Sequence, residues 1–218
     1  MTTRTVLRRE LADLKQKVYL LGEKCIEAST LYNSLIETYS DKLHKRFNEL
    51  TKEIKDECKN LNDQCFLVLT LQQPLIRDLR FVMGTLQVVL NLEKITDGYS
   101  STANLLAEAY LLENSVKSNM VHMLINVTEL IKVSLTLYLS SNLELTKQSS
   151  KLSSEINYFH DLTYKQVLNE VSKEQGQKAQ AEAQLIAIIR TAEKISDYAL
   201  NIIEQVNYII LGNARQIN

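Results

Sequence analysis

The sequence predicts an all-α protein of six long helices, arranged as two tandem three-helix bundles. The 218 residues include only 5 Gly and 1 Pro, so little of the chain is available for sheet turns or long loops. Apolar residues recur at three- and four-residue steps along most of the sequence, which is the spacing of amphipathic helices. One short motif also occurs twice. A chain of this length forms one large domain or two small ones, and the repeat favours two.

Three helices are predicted in the first half of the chain. The first runs from about Val6 to Tyr39, with apolar residues along one face. The second runs from about Asp41 to Thr70 and stops before Pro74, because proline disfavours the helical conformation in the preceding residue and suits the first turn of a helix. Pro74 therefore marks the start of a third helix, predicted over Leu75 to Leu112.

Three further helices are predicted in the second half. The fourth runs from Asn114 to about Leu139 and is interrupted by the polar segment Ser140–Asn142. The fifth continues to about Ser172, and the sixth lies between the neighbourhood of Gly176 and Gly212. The order of the six helices suggests two units of three.

An internal repeat supports this division. Leu92–Asp97 reads LEKITD and Ala192–Asp197 reads AEKISD, so E-K-I-[TS]-D occurs twice at a spacing of one hundred residues. Both copies lie in the third helix of their unit, which indicates a tandem duplication. We place the boundary near Leu111 to Ser115, so that the units cover residues 1–112 and 113–218.

The net charge and the distribution of apolar residues indicate which partners and which cellular location to expect. The formal net charge is −1, from 25 basic and 26 acidic residues, which gives no overall field that attracts nucleic acid or anionic lipid. The first residues contain no continuous apolar stretch and nowhere do 18 apolar residues follow one another, so neither a signal peptide nor a membrane span is predicted. We expect a cytoplasmic protein with reduced, buried thiols at Cys25, Cys58 and Cys65.

The repeated motif places two carboxylates side by side. Residues four apart on a helix differ by about 40° in direction, so each Glu-x-x-x-Asp pair projects from one face, away from the apolar face. We call these faces the first ridge and the second ridge. The candidate metal ligands are Glu93 and Asp97 on the first ridge and Glu193, Asp197, Asn201 and Glu204 on the second.

Like charges at this spacing repel, so a cation or a basic partner is expected to neutralise each ridge. Carboxylate and amide oxygens suit iron, manganese, magnesium or calcium, and we expect iron, zinc or another divalent metal. The alternative is an ordinary solvated helix face, with Lys94 and Lys194 nearby.

The sequence contains no recognisable catalytic machinery. It has no Gly-rich phosphate loop, no G-x-S-x-G elbow and no Cys-x-x-Cys pair. His44, His122 and His160 stand alone, without the Glu-x-x-His pairing of di-iron bundles, and we assign them no metal. The chain is therefore not expected to be an enzyme.

Several strings together resemble the PhoU family of phosphate-transport regulators. QQPLIRDLR resembles the family motif that opens the third helix, LEKITD resembles its L-E-R-I-G-D, and AEKISDYALNIIEQV keeps the spacing of its Glu, Asp, Asn and Glu. The resemblance implies two three-helix bundles with pseudo-twofold symmetry, multinuclear iron or other metals at the ridges, and a homodimer. It also implies signalling through the ATPase subunit of a phosphate ABC transporter and a sensor histidine kinase. Contact with the membrane would come only through these partners, and no nucleic acid is expected.

The chain departs from the family pattern at its ridges. The family Asn and Glu of the first ridge fall on Ser101 and Asn104, so the second ridge is the better match. The second helix of each unit also lacks the family carboxylates, since the aligned positions are Thr51, Lys55 and Cys58 in one unit and Ser154 and Asn157 in the other. A metal-free helical scaffold with other partners, or a carboxylate-bridged metalloprotein, remain the alternatives.

Asp78 and Arg80 match the D-L-R of the family motif at the start of the third helix. We expect them to brace this helix start by capping or pairing, or to contact a partner.

Overall fold

The computed structural model describes residues 3–72, 74–111, 114–171 and 177–212. These residues form the six predicted long helices, and one short 3₁₀ helix is added to them. In chain order the elements are α1 (Thr3–Glu37), α2 (Asp41–Gln72), α3 (Ile76–Thr102), the 3₁₀ helix η1 (Ala103–Leu111), α4 (Asn114–Ser140), α5 (Leu145–Val171) and α6 (Gln177–Leu211). The all-α fold class is confirmed.

Local signals in the sequence explain where helices begin and end. The Ser40 hydroxyl accepts the backbone N–H of Leu43 at 3.2 Å, which satisfies one of the unpaired donors in the first turn of α2. Leu75 follows Pro74 with an extended backbone (φ −72°, ψ 167°), and α3 starts at the next residue. α6 stops before Gly212, whose φ of 81° lies in the left-handed region that glycine adopts readily.

The third helix is shorter than predicted. We expected it to reach Leu112, but its α-helical geometry ends at Thr102 and η1 follows, while Leu112 lies outside the described residues. Ser100, Ser101 and Thr102 each donate a side-chain hydroxyl to a carbonyl three or four residues earlier. Such hydroxyls compete for the backbone acceptors of the helix, which favours the change to a tighter turn.

The other helix ends agree with the prediction to within three residues; α1, for example, begins at Thr3 rather than Val6. The limits predicted at Ser172 and Gly176 fall outside the described residues, and so does the unit boundary between residues 112 and 113.

The helices pack as two three-helix units that lie side by side. α1, α2 and α3 contact one another, as do α4, α5 and α6. Between the units, α3 packs against α6 and α1 against α4, so equivalent helices meet each other across the interface. This is the arrangement expected of pseudo-twofold symmetry.

The apolar faces of the helices form one continuous core. On α6, the face predicted to point inward consists of buried residues, namely Ala192, Ile195, Ala199, Ile202 and Val206. The opposite face of the same helix is therefore free to carry the second ridge.

Glycines inside the helices lie at contacts between the two units. A Cβ atom at Gly84 of α3 would lie 2.4 Å from Cγ1 of Ile209 on α6. A Cβ at Gly22 of α1 would lie 2.4 Å from Cδ2 of Leu135 on α4. Glycine inside a helix costs about 1 kcal/mol relative to alanine. The close approach of the helices explains why glycine is used here.

Buried hydroxyls also join the two units. The Ser29 side chain on α1 lies 2.7 Å from the Tyr99 hydroxyl on α3 and 2.6 Å from the Thr128 hydroxyl on α4. All three side chains are almost fully buried. The hydrogen bonds satisfy polar groups that would otherwise cost free energy in the core, and they couple α4 to the first unit.

α4 (Asn114–Ser140) is long and apolar enough to cross a membrane by length and composition alone, but most of its apolar stretch is buried inside the bundle. It is a core helix of this fold. Cys25, Cys58 and Cys65 are free and buried, as predicted. Burial raises the pKa of the Cys25 and Cys65 thiols to about 12, so both are protonated at neutral pH.

Candidate functional site

The two ridges occupy equivalent places on α3 and α6. Residues 92–100 and 192–200 have the same sequence of buried, half-buried and exposed positions. In both copies the Glu is half-buried, the Asp is exposed, and the apolar residues beside them face the core. The duplicated sequence is therefore matched by duplicated placement.

One of the two carboxylates of the first ridge is already paired with a basic side chain of the protein. Lys55 reaches from α2, and its Nζ lies 2.6 Å from Oδ1 of Asp97. Asp97 is 56% exposed and Lys55 is 42% exposed, so this is a surface ion pair. The ammonium group of Lys55 therefore lies next to a carboxylate that the sequence suggested as a metal ligand. The first ridge therefore does not suit a cation.

The second ridge has a different neighbour. Nε2 of His160, on α5, lies 3.4 Å from Oε2 of Glu193, and Nδ1 of the same ring lies 3.2 Å from Oδ1 of Asp161. The ring stacks on Tyr164 with an interplanar angle of 10°. His160 has no Glu-x-x-His pairing in the sequence, but in the fold it contacts two carboxylates. Its position on a neighbouring helix brings it to the second ridge, and no spacing pattern in the sequence predicts this contact.

Asp197 carries the least compensated charge of the second ridge. Partial burial raises the pKa of its carboxyl group, and the neighbouring Glu193 carboxylate raises it further. No basic side chain in the described ranges forms an ion pair with it, whereas its counterpart Asp97 has Lys55. The two ridges therefore share a position in the fold but differ in their electrostatics.

Asn201 and Glu204 continue the second ridge along α6, as predicted. Asn201 is exposed and Glu204 is half-buried. Together with Glu193 and Asp197 they give α6 a strip of oxygen-bearing side chains about two to three turns long.

The metal expectation finds little support in the geometry. Within the described ranges, no group of three or more His, Cys, Asp or Glu side chains is placed to hold a metal ion. The second ridge brings together two carboxylates from one helix, so water or another molecule would have to complete a coordination shell.

Asp78 and Arg80 are placed at the start of α3, as predicted, but they do not pair with each other. No hydrogen bond or ion pair of the Asp78 side chain is found among the residues that the structure describes, and Leu75 provides no side-chain cap. The Arg80 guanidinium lies over the Tyr208 ring at 5.8 Å and packs against Gly212. Arg80 thus ties the start of α3 to the end of α6.

Matched substitutions on the two ridges are expected to change stability in opposite directions. At neutral pH, Asp197→Asn should raise the melting temperature, because it removes a carboxylate whose ionisation the fold disfavours. Asp97→Asn should lower it, because Lys55 loses its partner. Both sites are exposed and screened by solvent, so each change should stay within about 0.5 kcal/mol.

Thermal unfolding followed by circular dichroism at several pH values tests this prediction. A raised pKa in the folded state means that ionised Asp197 opposes folding, so the gain from Asp197→Asn should vanish as the pH falls through that pKa. Shifts of the same sign for both variants would contradict it.

Comparison with known proteins places these features in a family. A model described as the PhoU domain matches the chain twice, at residues 18–106 and 120–206. The phosphate-specific transport system accessory protein PhoU homolog of Clostridium acetobutylicum is 22% identical over 231 residues, and the match covers 99% of each chain. The protein of the same name from Pseudomonas aeruginosa is 25% identical over 211 residues, covering 93% of this chain and 84% of that one.

Solved structures show the same fold. The crystal structure of PhoU from Pseudomonas aeruginosa superposes with a TM-score of 0.87 at 19% identity, covering 94% of this chain and 99% of that one. The phosphate transport system regulatory protein PhoU from Streptococcus pneumoniae superposes with a TM-score of 0.83 at 17% identity, covering 97% and 100%. At these identities the likeness establishes the architecture.

Proposed function

This chain belongs to the PhoU domain family, and from that premise we propose that it is a non-enzymatic accessory regulator of a phosphate transport system. One observation carries the proposal: relatives named phosphate-specific transport system accessory proteins match this chain over nearly its whole length. A match of that extent includes both helical units and both ridges.

The second part of the proposal is an adaptor role. The protein would work in the cytoplasm as a homodimer, link the ATPase subunit of a phosphate ABC transporter to a sensor histidine kinase, and approach the membrane only through these partners. The second ridge is the docking surface that the chemistry favours. Its Asp197 carboxylate lacks a basic partner within the described ranges, and a basic surface on another protein would offset that charge.

The exposure of the ridges fits docking better than catalysis. The side chains of Asp97 and Glu193 are 56% and 46% exposed. Carboxylates that act in catalysis generally work inside enclosed sites that exclude water. Open carboxylates on a convex helix face instead suit recognition by another surface.

Deletion of the gene tests the regulatory role. In phosphate-rich medium, a strain without this protein should express phosphate-starvation genes that the parent strain represses, because the accessory signal is absent. A transcriptional reporter measures this directly, and a plasmid copy of the intact chain should restore repression. Unchanged expression in the deletion strain would count against the proposal.

We further propose that any divalent metal is held at the second ridge. Glu193 and Asp197 offer two hard oxygen ligands, and neither forms an ion pair with a lysine among the described residues, whereas Lys55 pairs with Asp97 at the first ridge. Metal analysis of protein purified without a histidine tag should show iron, zinc or manganese lost in a Glu193→Gln/Asp197→Asn variant. The matched Glu93→Gln/Asp97→Asn variant should keep it. Absence of metal from the intact protein would refute this part.

A further inference from the structure

A groove opens at the end of the bundle where α3 begins and where α1, α4 and α6 meet. Its volume is about 920 Å³. Its lining includes four basic side chains and one carboxylate, namely Arg8, Lys15, Arg77, Arg80 and Asp78. We call it the basic groove. None of the carboxylates on either ridge lines the basic groove, so the groove and the ridges are separate surfaces of α3 and α6.

The basic groove carries uncompensated positive charge. None of its four basic side chains forms an ion pair with a carboxylate among the residues that the structure describes. Elsewhere on the described part of the chain, lysine and arginine side chains do pair with carboxylates. Lys15 is half-buried, and this burial lowers the pKa of its ammonium group. A cation that loses water without gaining a counterion is unfavourable. An anion in the basic groove would remove that cost.

Two of the basic residues, Arg8 and Lys15, occupy positions on α1 from which both side chains reach the basic groove. Arg8 and Lys15 are seven residues apart on α1, which places them on one face, and both line the groove. Arg80 is held in place by Tyr208, whose ring centroid lies 5.8 Å from the guanidinium carbon. A cation fixed before the ligand arrives loses little freedom on binding.

The start of α3 adds to the positive potential. The backbone N–H of Leu79 bonds to the Leu75 carbonyl at 2.8 Å, so the N–H groups of Ile76, Arg77 and Asp78 precede the first helical hydrogen bond. These three residues also line the basic groove. Unpaired N–H groups and the helix dipole both favour an anion at this position.

Most of the remaining lining is apolar and includes Leu11, Phe81 and Ile209, while Tyr138 and Ser141 add hydroxyl groups. Sites for small organic molecules typically have volumes of about 300 to 1,000 Å³ and apolar walls with a few polar groups. The basic groove is within that range, and it is far larger than an inorganic phosphate ion requires. Its chemistry therefore suits a molecule that joins a multiply charged anionic group to an apolar or aromatic part.

We propose that the basic groove binds an organic phosphate, with Lys15 and Arg80 at the phosphoryl group and the apolar wall against the organic part. A phosphate monoester carries close to two negative charges at neutral pH, which matches several cations better than a single carboxylate would. Asp78 opposes the anion, so its charge limits the affinity. Substitutions of Lys15 and Asp78 are therefore expected to act with opposite signs.

Binding is measured by isothermal titration calorimetry with AMP and with inorganic phosphate, and by co-sedimentation with vesicles that contain phosphatidic acid or only phosphatidylcholine. AMP or phosphatidic acid, which both carry a phosphate monoester, should bind, and the comparison distinguishes a free phosphate ester from a lipid headgroup. Lys15→Gln should weaken binding by about tenfold, and Asp78→Asn should strengthen it several-fold. The control Lys151→Gln removes a lysine from α5, outside the groove, and should leave affinity unchanged.

Arg80→Gln is avoided as the main variant, because Arg80 also supports Gly212 and Tyr208. The proposal is overturned if none of the phosphate esters binds at millimolar concentration, or if Lys15→Gln and Lys151→Gln behave alike. A glutamate-rich peptide is titrated in the same calorimetric assay, and binding of that peptide alone would also overturn the proposal, in favour of a protein partner. None of these outcomes contradicts the proposed role in phosphate transport, because that role is tested separately by the phosphate-starvation reporter.

Discussion

Replacing Gly84 with leucine is expected to lower the free energy of unfolding by about 1 to 3 kcal/mol, the usual cost of overpacking a tight core. The added Cβ alone would lie 2.4 Å from Cγ1 of Ile209, so a leucine at this position forces the Ile209 side chain or the two helices to shift. That shift falls at the interface that joins the two units. Replacing a glycine inside a helix by itself stabilises the helix by about 1 kcal/mol. The measured loss of stability therefore underestimates the cost of the steric clash.

Urea denaturation followed by circular dichroism at 222 nm measures this effect. Gln87→Leu is the matched control, because Gln87 is exposed on the same helix, three residues away. It should change stability by no more than about 0.5 kcal/mol. If Gly84→Leu were as stable as Gln87→Leu, the close packing of α3 on α6 would be refuted.

Reversing the charge of the second ridge should abolish regulation while leaving the fold intact. Lysines in a Glu193→Lys/Asp197→Lys variant would face a basic partner surface, and like charges juxtaposed in an interface cost several kcal/mol. Affinity for that partner should fall by about 100-fold or more. In the deletion strain, the variant should therefore fail to restore repression of the phosphate-starvation reporter.

A Glu49→Lys/Asp63→Lys variant provides the control for this experiment. Both residues are exposed on α2, and their substitution changes the net charge by the same amount. It should restore repression fully. Both variants should retain helical content and melt within a few degrees of the parent, which excludes unfolding as the cause. Equal complementation by the two variants would show that the second ridge is not the docking surface.

The fold was predictable because its signals are local. Helical periodicity, Pro74, Gly212 and the repeated E-K-I-[TS]-D motif all lie within short stretches of sequence. The early end of α3 was not predicted. The run of hydroxyl side chains at residues 100–102, which bond to backbone carbonyls, is consistent with it. That signal is visible in the sequence, but its outcome depends on the surrounding packing.

The ridges were predictable in position but not in chemistry. The four-residue spacing placed Glu193 and Asp197 on one outward face, as found. The contacts of Lys55 with Asp97 and of His160 with Glu193 come from other helices. They depend on how those helices rotate in the bundle, and a single sequence does not encode that rotation in any short pattern.

The basic groove was missed for the same reason. Its basic residues come from α1 and α3, about 70 residues apart in the chain, and its walls include parts of α4 and α6. The seven-residue spacing of Arg8 and Lys15 was an available signal that two cations share a face. Only the assembled bundle shows that Arg77 and Arg80 join them.

Co-purification with the transporter tests the adaptor role most directly. The tagged chain is expressed in cells grown in phosphate-rich medium, and the ATPase subunit of the phosphate transporter is quantified in the eluate. We predict that the intact chain and the Glu49→Lys/Asp63→Lys control recover the subunit in comparable amounts, and that Glu193→Lys/Asp197→Lys does not. Failure of the intact chain to recover the subunit, or equal recovery by all three proteins, would contradict docking through the second ridge.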